Sequence, residues 1–141
     1  MLVWLMKDSY NDHVEGVYTY EAKCQKEQEF LEQAAQKRDR NIEHLNEQIA
    51  EITEVRNPII YEAEALLPEE AAAKEANHTG RLKEVRKKRK VLLKQAEKLT
   101  YDIHKAEHQI MELSCLTRSQ LIQRYGDRYY FEEHWVVGTY D

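Results

Sequence analysis

Apolar residues in the middle of the chain recur at alternating spacings of three and four. Leu82, Val85, Arg89, Leu92, Ala96, Leu99, Ile103, Ala106, Ile110 and Leu113 follow this rule, and only Arg89 among them is polar. A heptad of this kind lays one narrow apolar seam along a helix, as in a coiled coil. Leu31, Ala35, Arg38, Ile42, Leu45, Ile49, Ile52, Arg56 and Ile59 repeat the pattern upstream, interrupted at Arg38 and Arg56. Two such helices in one chain fold back most simply as an antiparallel hairpin. The ends of the chain follow a shorter period. Residues 2–6 read as a strand, 8–12 as polar turn chemistry and 16–20 as a returning strand. Tyr129, Phe131, Trp135 and Val137 alternate like one face of a third strand, with Glu133 the exception. The pattern predicts an α+β fold. A small three-stranded antiparallel sheet is formed by the two termini, 1–20 plus 117–141, with a long antiparallel coiled-coil helical hairpin, 21–116, inserted between them.

Three local signals mark where the hairpin reverses. Asn57-Pro58 is expected to end or kink the first helix, because the residue before a proline is pushed out of the helical region. Pro68 interrupts again, so one or two short helices are expected in a tip at about 57–80. His78-Thr79-Gly80 offers a loop with Gly80 available for a left-handed cap. In the register this implies, Ile42 faces Ile103, Leu45 faces Leu99, Ile49 faces Ala96, Ile52 faces Leu92, and Arg56 meets Arg89 unless acidic residues of the tip intervene.

Composition sharpens the division. Aromatic residues crowd the two ends, leaving Phe30, Tyr61 and Tyr101 in the middle, where Ala, Glu, Gln, Lys, Arg and Leu favour helix. One third of the residues are charged, mean hydropathy is −0.81, and the apolar run at residues 2–6 is far shorter than the ~20 residues of a membrane span. A cytoplasmic protein that does not engage membranes is expected. Cys24 and Cys115 form no Cys-x-x-Cys pair and are read as free thiols. The formal net charge is −5, yet residues 81–98 hold nine cationic side chains against Glu84 and Glu97, a local charge of +7.

That basic segment is the one candidate for nucleic acid, with Lys83, Arg86, Lys87, Lys90 and Lys94 as contacts. The blander reading, a latch to Glu62, Glu64, Glu69 and Glu70, carries more weight because no aromatic residue is interleaved for base stacking. His104, Glu107 and His108, with His44 across the hairpin, have metal-ligand spacing but no visible fourth ligand, so no metal is expected. Cys115, Thr117, Ser119 and the distant His134 lack a glycine-rich oxyanion site, and Thr117 with Gln120 reads instead as a capping box opening a short helix from Arg118 to Tyr125. With no phosphate loop, dinucleotide fingerprint or paired-carboxylate motif, neither an enzyme nor a cofactor is expected.

The remaining surfaces suit partners. Tyr10, Tyr18, Tyr129, Tyr130 and Trp135 exceed what a small core encloses, and Ile60 and Leu67 add apolar surface at the tip. The unit Leu2-Val3-Trp4-Leu5, a polar turn, then Gly16-Val17-Tyr18-Thr19-Tyr20-Glu21-Ala22, closing with residues 130–137, resembles very small, mostly uncharacterised bacteriophage-type proteins of hairpin, helix and strand. In those a single short helix stands where this chain has a long hairpin. The resemblance implies a phage or mobile-element accessory protein of bacterial cytoplasm that binds and inhibits or redirects a host protein, host defence included. The function expected is thus a non-enzymatic protein-binding module, forming a homodimer or capturing a host protein. Alternatives are nucleic-acid contact through 81–98 and a structural assembly subunit.

Overall fold

The computed structural model describes residues 1–126 and 129–136. Its elements run β1 (Leu2–Asp8), β2 (Val14–Tyr18), α1 (Tyr20–Glu75), α2 (Thr79–Ser114), α3 (Arg118–Tyr125) and β3 (Tyr129–Trp135). They form two compact units, Met1–Asn41 with Cys115–Asp141, and Ile42–Ser114. The architecture is α+β, with a helical hairpin between terminal strands. Val137, which the pattern assigned to the final strand, lies outside the described residues.

In the first unit β1 is the central strand of a three-stranded antiparallel sheet ordered β2-β1-β3. The β1–β3 ladder runs from Leu2↔Trp135 to Asp8↔Tyr129, and reciprocal bonds between Met1 and Val136 extend it. The β1–β2 turn is closed by polar side chains: Tyr10 N–H donates to Asp8 Oδ1 (2.9 Å), His13 N–H to Asn11 Oδ1 (3.0 Å), and Asp12 takes a positive φ of 56°. Glu15 is the extra residue of a bulge opposite Met6 and Lys7. The returning strand ends sooner than its aromatic run predicts. Thr19 caps α1, accepting from Ala22 N–H at 3.3 Å, and Tyr20 is already helical.

One sheet face is covered. Trp4, Met6, Asp8, Tyr18, Tyr129 and Phe131 share it by register, and it meets α1 through Trp4–Tyr20 (ring centroids 5.4 Å) and Phe30–Tyr129 (6.2 Å). Ala34 of α1 and Leu121 of α3 complete the core. The expected capping box is present, with Gln120 N–H donating to Thr117 Oγ1 (3.2 Å) and Thr117 N–H to Gln120 Oε1 (3.0 Å). The far end of α3 needs glycine, since a Cβ at Gly126 would collide with the Ile122 carbonyl that its N–H bonds. Asn41 Nδ2 donates to Tyr125 Oη (2.8 Å) and Arg118 to Gln28 (3.2 Å), which ties α3 to α1 and carries this unit along α1 as far as Asn41.

In the second unit every α2 seam residue predicted by the heptad is buried or half-buried. The tip of short helices does not form. Helix α1 runs through both Pro58 and Pro68, and its seam continues past Ile59 at the same spacing through Ala63, Leu66, Glu70 and Ala73. Each proline removes a backbone donor and crowds the carbonyl four residues back, a local cost that packing of this seam overrides. Both rings face solvent. The chain reverses at 76–78, where Asn77, not Gly80, takes the left-handed conformation (φ 56°) and His78 N–H bonds Ala73 O at 3.0 Å. Gly80 lies in the first turn of α2.

The later reversal resets the register. Arg56 donates to Thr100 Oγ1 (3.4 Å), about three turns from the Arg89 expected opposite it. Arg89 instead approaches Glu70 (3.7 Å), which also accepts from Arg86 Nε (3.0 Å), while Arg81 pairs with Glu69 (3.4 Å). The arginine clash disappears. Glu70 Oε2, Arg89 Nε and Arg56 Nε are buried without a hydrogen bond, so polar atoms sit in the seam at some cost to stability.

Two outcomes follow from this packing. An interior proline costs ~3 kcal/mol, offset by ~0.5–1 kcal/mol of restricted unfolded chain. Pro58→Ala and Pro68→Ala are therefore each expected to raise unfolding free energy by about 2 kcal/mol in urea titration, and an unmoved midpoint would contradict strained packing at the rings. Glu70→Ala leaves the partly buried Arg89 without its carboxylate and is expected to cost about 1–3 kcal/mol. That loss should shrink in an Arg89→Leu background, and additive losses would show that the two residues are uncoupled.

Candidate functional site

The sheet unit carries a groove of about 420 Å³ between the start of α1, α3 and β3. Strand and helix periods build it. Trp4 on β1 and Phe131 and Glu133 on β3 fall on one sheet face, while Lys23, Glu27 and Phe30 recur at helical spacing on the facing side of α1. Ile122 of α3, partly exposed, closes one wall. The lining is thus aromatic, with three charged groups. Lys23 Nζ bonds Glu27 Oε1 at 2.6 Å and lies 5.8 Å from the Trp4 ring and 5.9 Å from Tyr20. The bond to Glu27 raises the Lys23 pKa above its ordinary value. Such a groove suits an apolar or aromatic anchor held by flanking polar contacts.

The other sheet face sets buried Val3 and half-buried Leu5 beside a polar cluster. Lys7 Nζ meets Glu132 at 2.7 Å, His134 Nε2 lies 2.8 Å from the same carboxylate, and Tyr130 Oη donates to Asp12 Oδ1 at 2.9 Å. The Lys7 and His134 bonds hold the Glu132 carboxyl below its usual range, and the Glu132 bond raises Lys7. The Asp12 bond raises Tyr130.

The predicted partner residues separate on this frame. Tyr18, Tyr129 and Trp135 share the groove face: Tyr18 packs edge-on against Phe131 (5.5 Å), Tyr129 stacks on Phe30 and lines the groove with it, and Trp135, 75% exposed, lies beyond Glu133. Tyr130 belongs by register to the opposite face yet also borders the groove, and Tyr10 is exposed in the β1–β2 turn. Ile60 and Leu67 belong to the hairpin unit, half-buried and exposed respectively. Of the groove residues, sequence reasoning found Tyr129 and Tyr130 and missed Trp4, Lys23, Glu27, Phe30, Ile122, Phe131 and Glu133. Their visible signal was the spacing of Lys23, Glu27 and Phe30 on one helix face next to an aromatic strand.

The basic segment divides by residue type. Arg81, Arg86 and Arg89 are held by Glu69 and Glu70, whereas Lys83, Lys87, Lys90 and Lys94 are exposed and without an ion pair among the described residues. The hairpin histidines pair locally, His44 with Glu47, His104 with Glu107 and His108 with Glu112. Among the described residues no three metal-ligating side chains converge, and no helix is long and apolar enough to cross a membrane. Cys24 and Cys115 are exposed free thiols.

The Lys7–Glu132 bond has a pH signature. A carboxyl lowered in the folded state contributes stability that is present above its unfolded pKa and fades as pH falls through the folded value. Raised Lys7 contributes stability that fades as pH climbs above its ordinary value. In an NMR titration Lys7→Met is expected to return the Glu132 carboxyl toward the usual carboxylate range, and an unchanged titration would refute the assignment of cause. Comparison with protein families, with curated proteins and with solved structures returns no match to this chain.

Proposed function

We propose that this chain is a non-enzymatic protein-binding module whose sheet unit holds the partner in the groove between α1, α3 and β3. The observation that carries this reading is the groove itself, aromatic on its walls and flanked by Lys23, Glu27 and Glu133, with exposed Trp135 one step beyond on the same sheet face. Aromatic anchors surrounded by polar groups supply most binding energy at protein interfaces. The bacteriophage-type likeness of the terminal strands suggests the partner class, a bacterial host protein that is inhibited or redirected.

A second reading draws on the hairpin. Lys83, Lys87, Lys90 and Lys94 recur along one side of α2 and have no ion-pair partner among the described residues, so they are available to phosphates. Arg86, grouped with them from sequence, is instead engaged by Glu70.

A tagged pull-down from bacterial lysate, with and without nuclease, separates the readings. The groove reading expects one stoichiometric protein that survives nuclease and is lost with Ile122→Asp combined with Glu133→Arg, at unchanged circular dichroism. Retention of that protein by the double variant would remove the groove from consideration. Nuclease-sensitive capture abolished by Lys87→Glu with Lys90→Glu would favour nucleic acid instead.

A further inference from the structure

We propose that the hairpin unit is a dimerisation element, in which one flank of the α1–α2 pair docks on the same flank of a second copy of this chain. A two-stranded coiled coil needs apolar residues at its seam positions alone, and a wider apolar face belongs to helices with more than one neighbour. This hairpin widens along its outer half, and again at Ile110-Met111 near the end of α2. Ile59, Leu66 and Leu92 occupy the seam, and each is followed by a second apolar residue, Ile60, Leu67 and Leu93. In an antiparallel pair these following positions fall on one flank. Two contacts agree with that side, for Arg86 and Thr100, each one heptad from Leu93, reach the seam residues Glu70 and Arg56. Leu67 and Leu93 are 44% and 42% exposed, and Leu93 lies in a groove of about 470 Å³ with Glu70, Arg86, Arg89, Lys90, Lys94 and Glu97.

The charges around this stripe select the occupant. On α1 the position between Ile60 and Leu67 on this flank is Glu64, exposed; on α2 the exposed charges around Leu93 are Lys90 and Lys94, with Glu97 one turn further on. None of these four charges has an ion-pair partner among the described residues. One flank therefore presents an acidic stretch of α1 beside a net basic stretch of α2, the self-complementary arrangement that a two-fold interface requires. Two ways of joining the flanks differ in sign. An axis across the helices sets α1 on α1 and lysine against lysine. An axis parallel to the helices sets α1 on the partner's α2. The register already described puts Glu64 within a turn of Lys90 and Ile60 within a turn of Leu93 along the axis, so the parallel axis brings acid to base and apolar to apolar across the interface. The product is a four-helix arrangement with both turns at one end.

Sedimentation equilibrium of the full chain under reducing conditions tests this. The expected species has twice the 16.8 kDa chain mass. Glu64→Lys is expected to weaken association at least ~10-fold, as is Lys90→Glu with Lys94→Glu, and the triple charge swap should restore it to within ~3-fold. All three positions are exposed, and unchanged circular dichroism separates a weakened interface from a damaged fold; Leu93→Gln supplies an independent, uncharged probe with the same expected loss. A monomer at all concentrations overturns the proposal. So does a dimer indifferent to Glu64→Lys and Leu93→Gln, or a monomer whose Lys90 and Lys94 resonances shift on adding duplex DNA.

Discussion

The seam between α1 and α2 is the constraint on which the second unit depends. Helix α1 crosses two prolines because the seam residues between and beyond them, Ile59, Ala63, Leu66 and Ala73, are worth more packed against α2 than the backbone loses at the rings. Once α1 is continuous, the chain can reverse only after Glu75. Asn77 then supplies the positive φ, and every facing pair in the hairpin follows from that one position. The pairing of Glu70 with Arg86 and Arg89 is a consequence of register, as is the separation of Arg56 from Arg89.

In the sheet unit the comparable constraint is the β1–β3 ladder, which joins the two ends of the chain. Strand β1 is flanked on both sides and β2 and β3 are its edges. So small a sheet cannot fold without cover, and Phe30, Ala34 and Leu121 provide it. Covering one face of aromatic strands with an irregular pair of helices leaves a gap beside Trp4 and Phe131, and that gap is the groove. The opposite face is held by Lys7, Glu132 and His134, whose bonds are charge-assisted yet open to solvent, so their worth is small and depends on salt and pH.

On the proposed readings the two units would do different work. The groove would read a partner's side chains, while the flank bearing Ile60, Leu67 and Leu93 would bring two copies together and make binding bivalent. Avidity of that kind strengthens a modest groove without any new contact. The basic segment is divided by residue type, its arginines pairing with Glu69 and Glu70 while its lysines make no ion pair among the described residues.

By itself the sequence determined the α+β class, the terminal sheet, the α2 seam to the last residue, the Thr117 capping box and the short helix it opens. These are repeating or local features, set by residue period and by contacts within a few positions. Tertiary structure decided the rest. Pro58, Pro68 and Gly80 carry local preferences that a long packed seam can outweigh, so the turn, and with it the register, was not readable from those residues. Composition cannot tell which aromatic rings find a neighbour. Only the register of β3 on β1, together with Phe30 placed opposite by α1, packed Tyr18 on Phe131, set Tyr129 against Phe30 in the groove wall and left Trp135 in solvent.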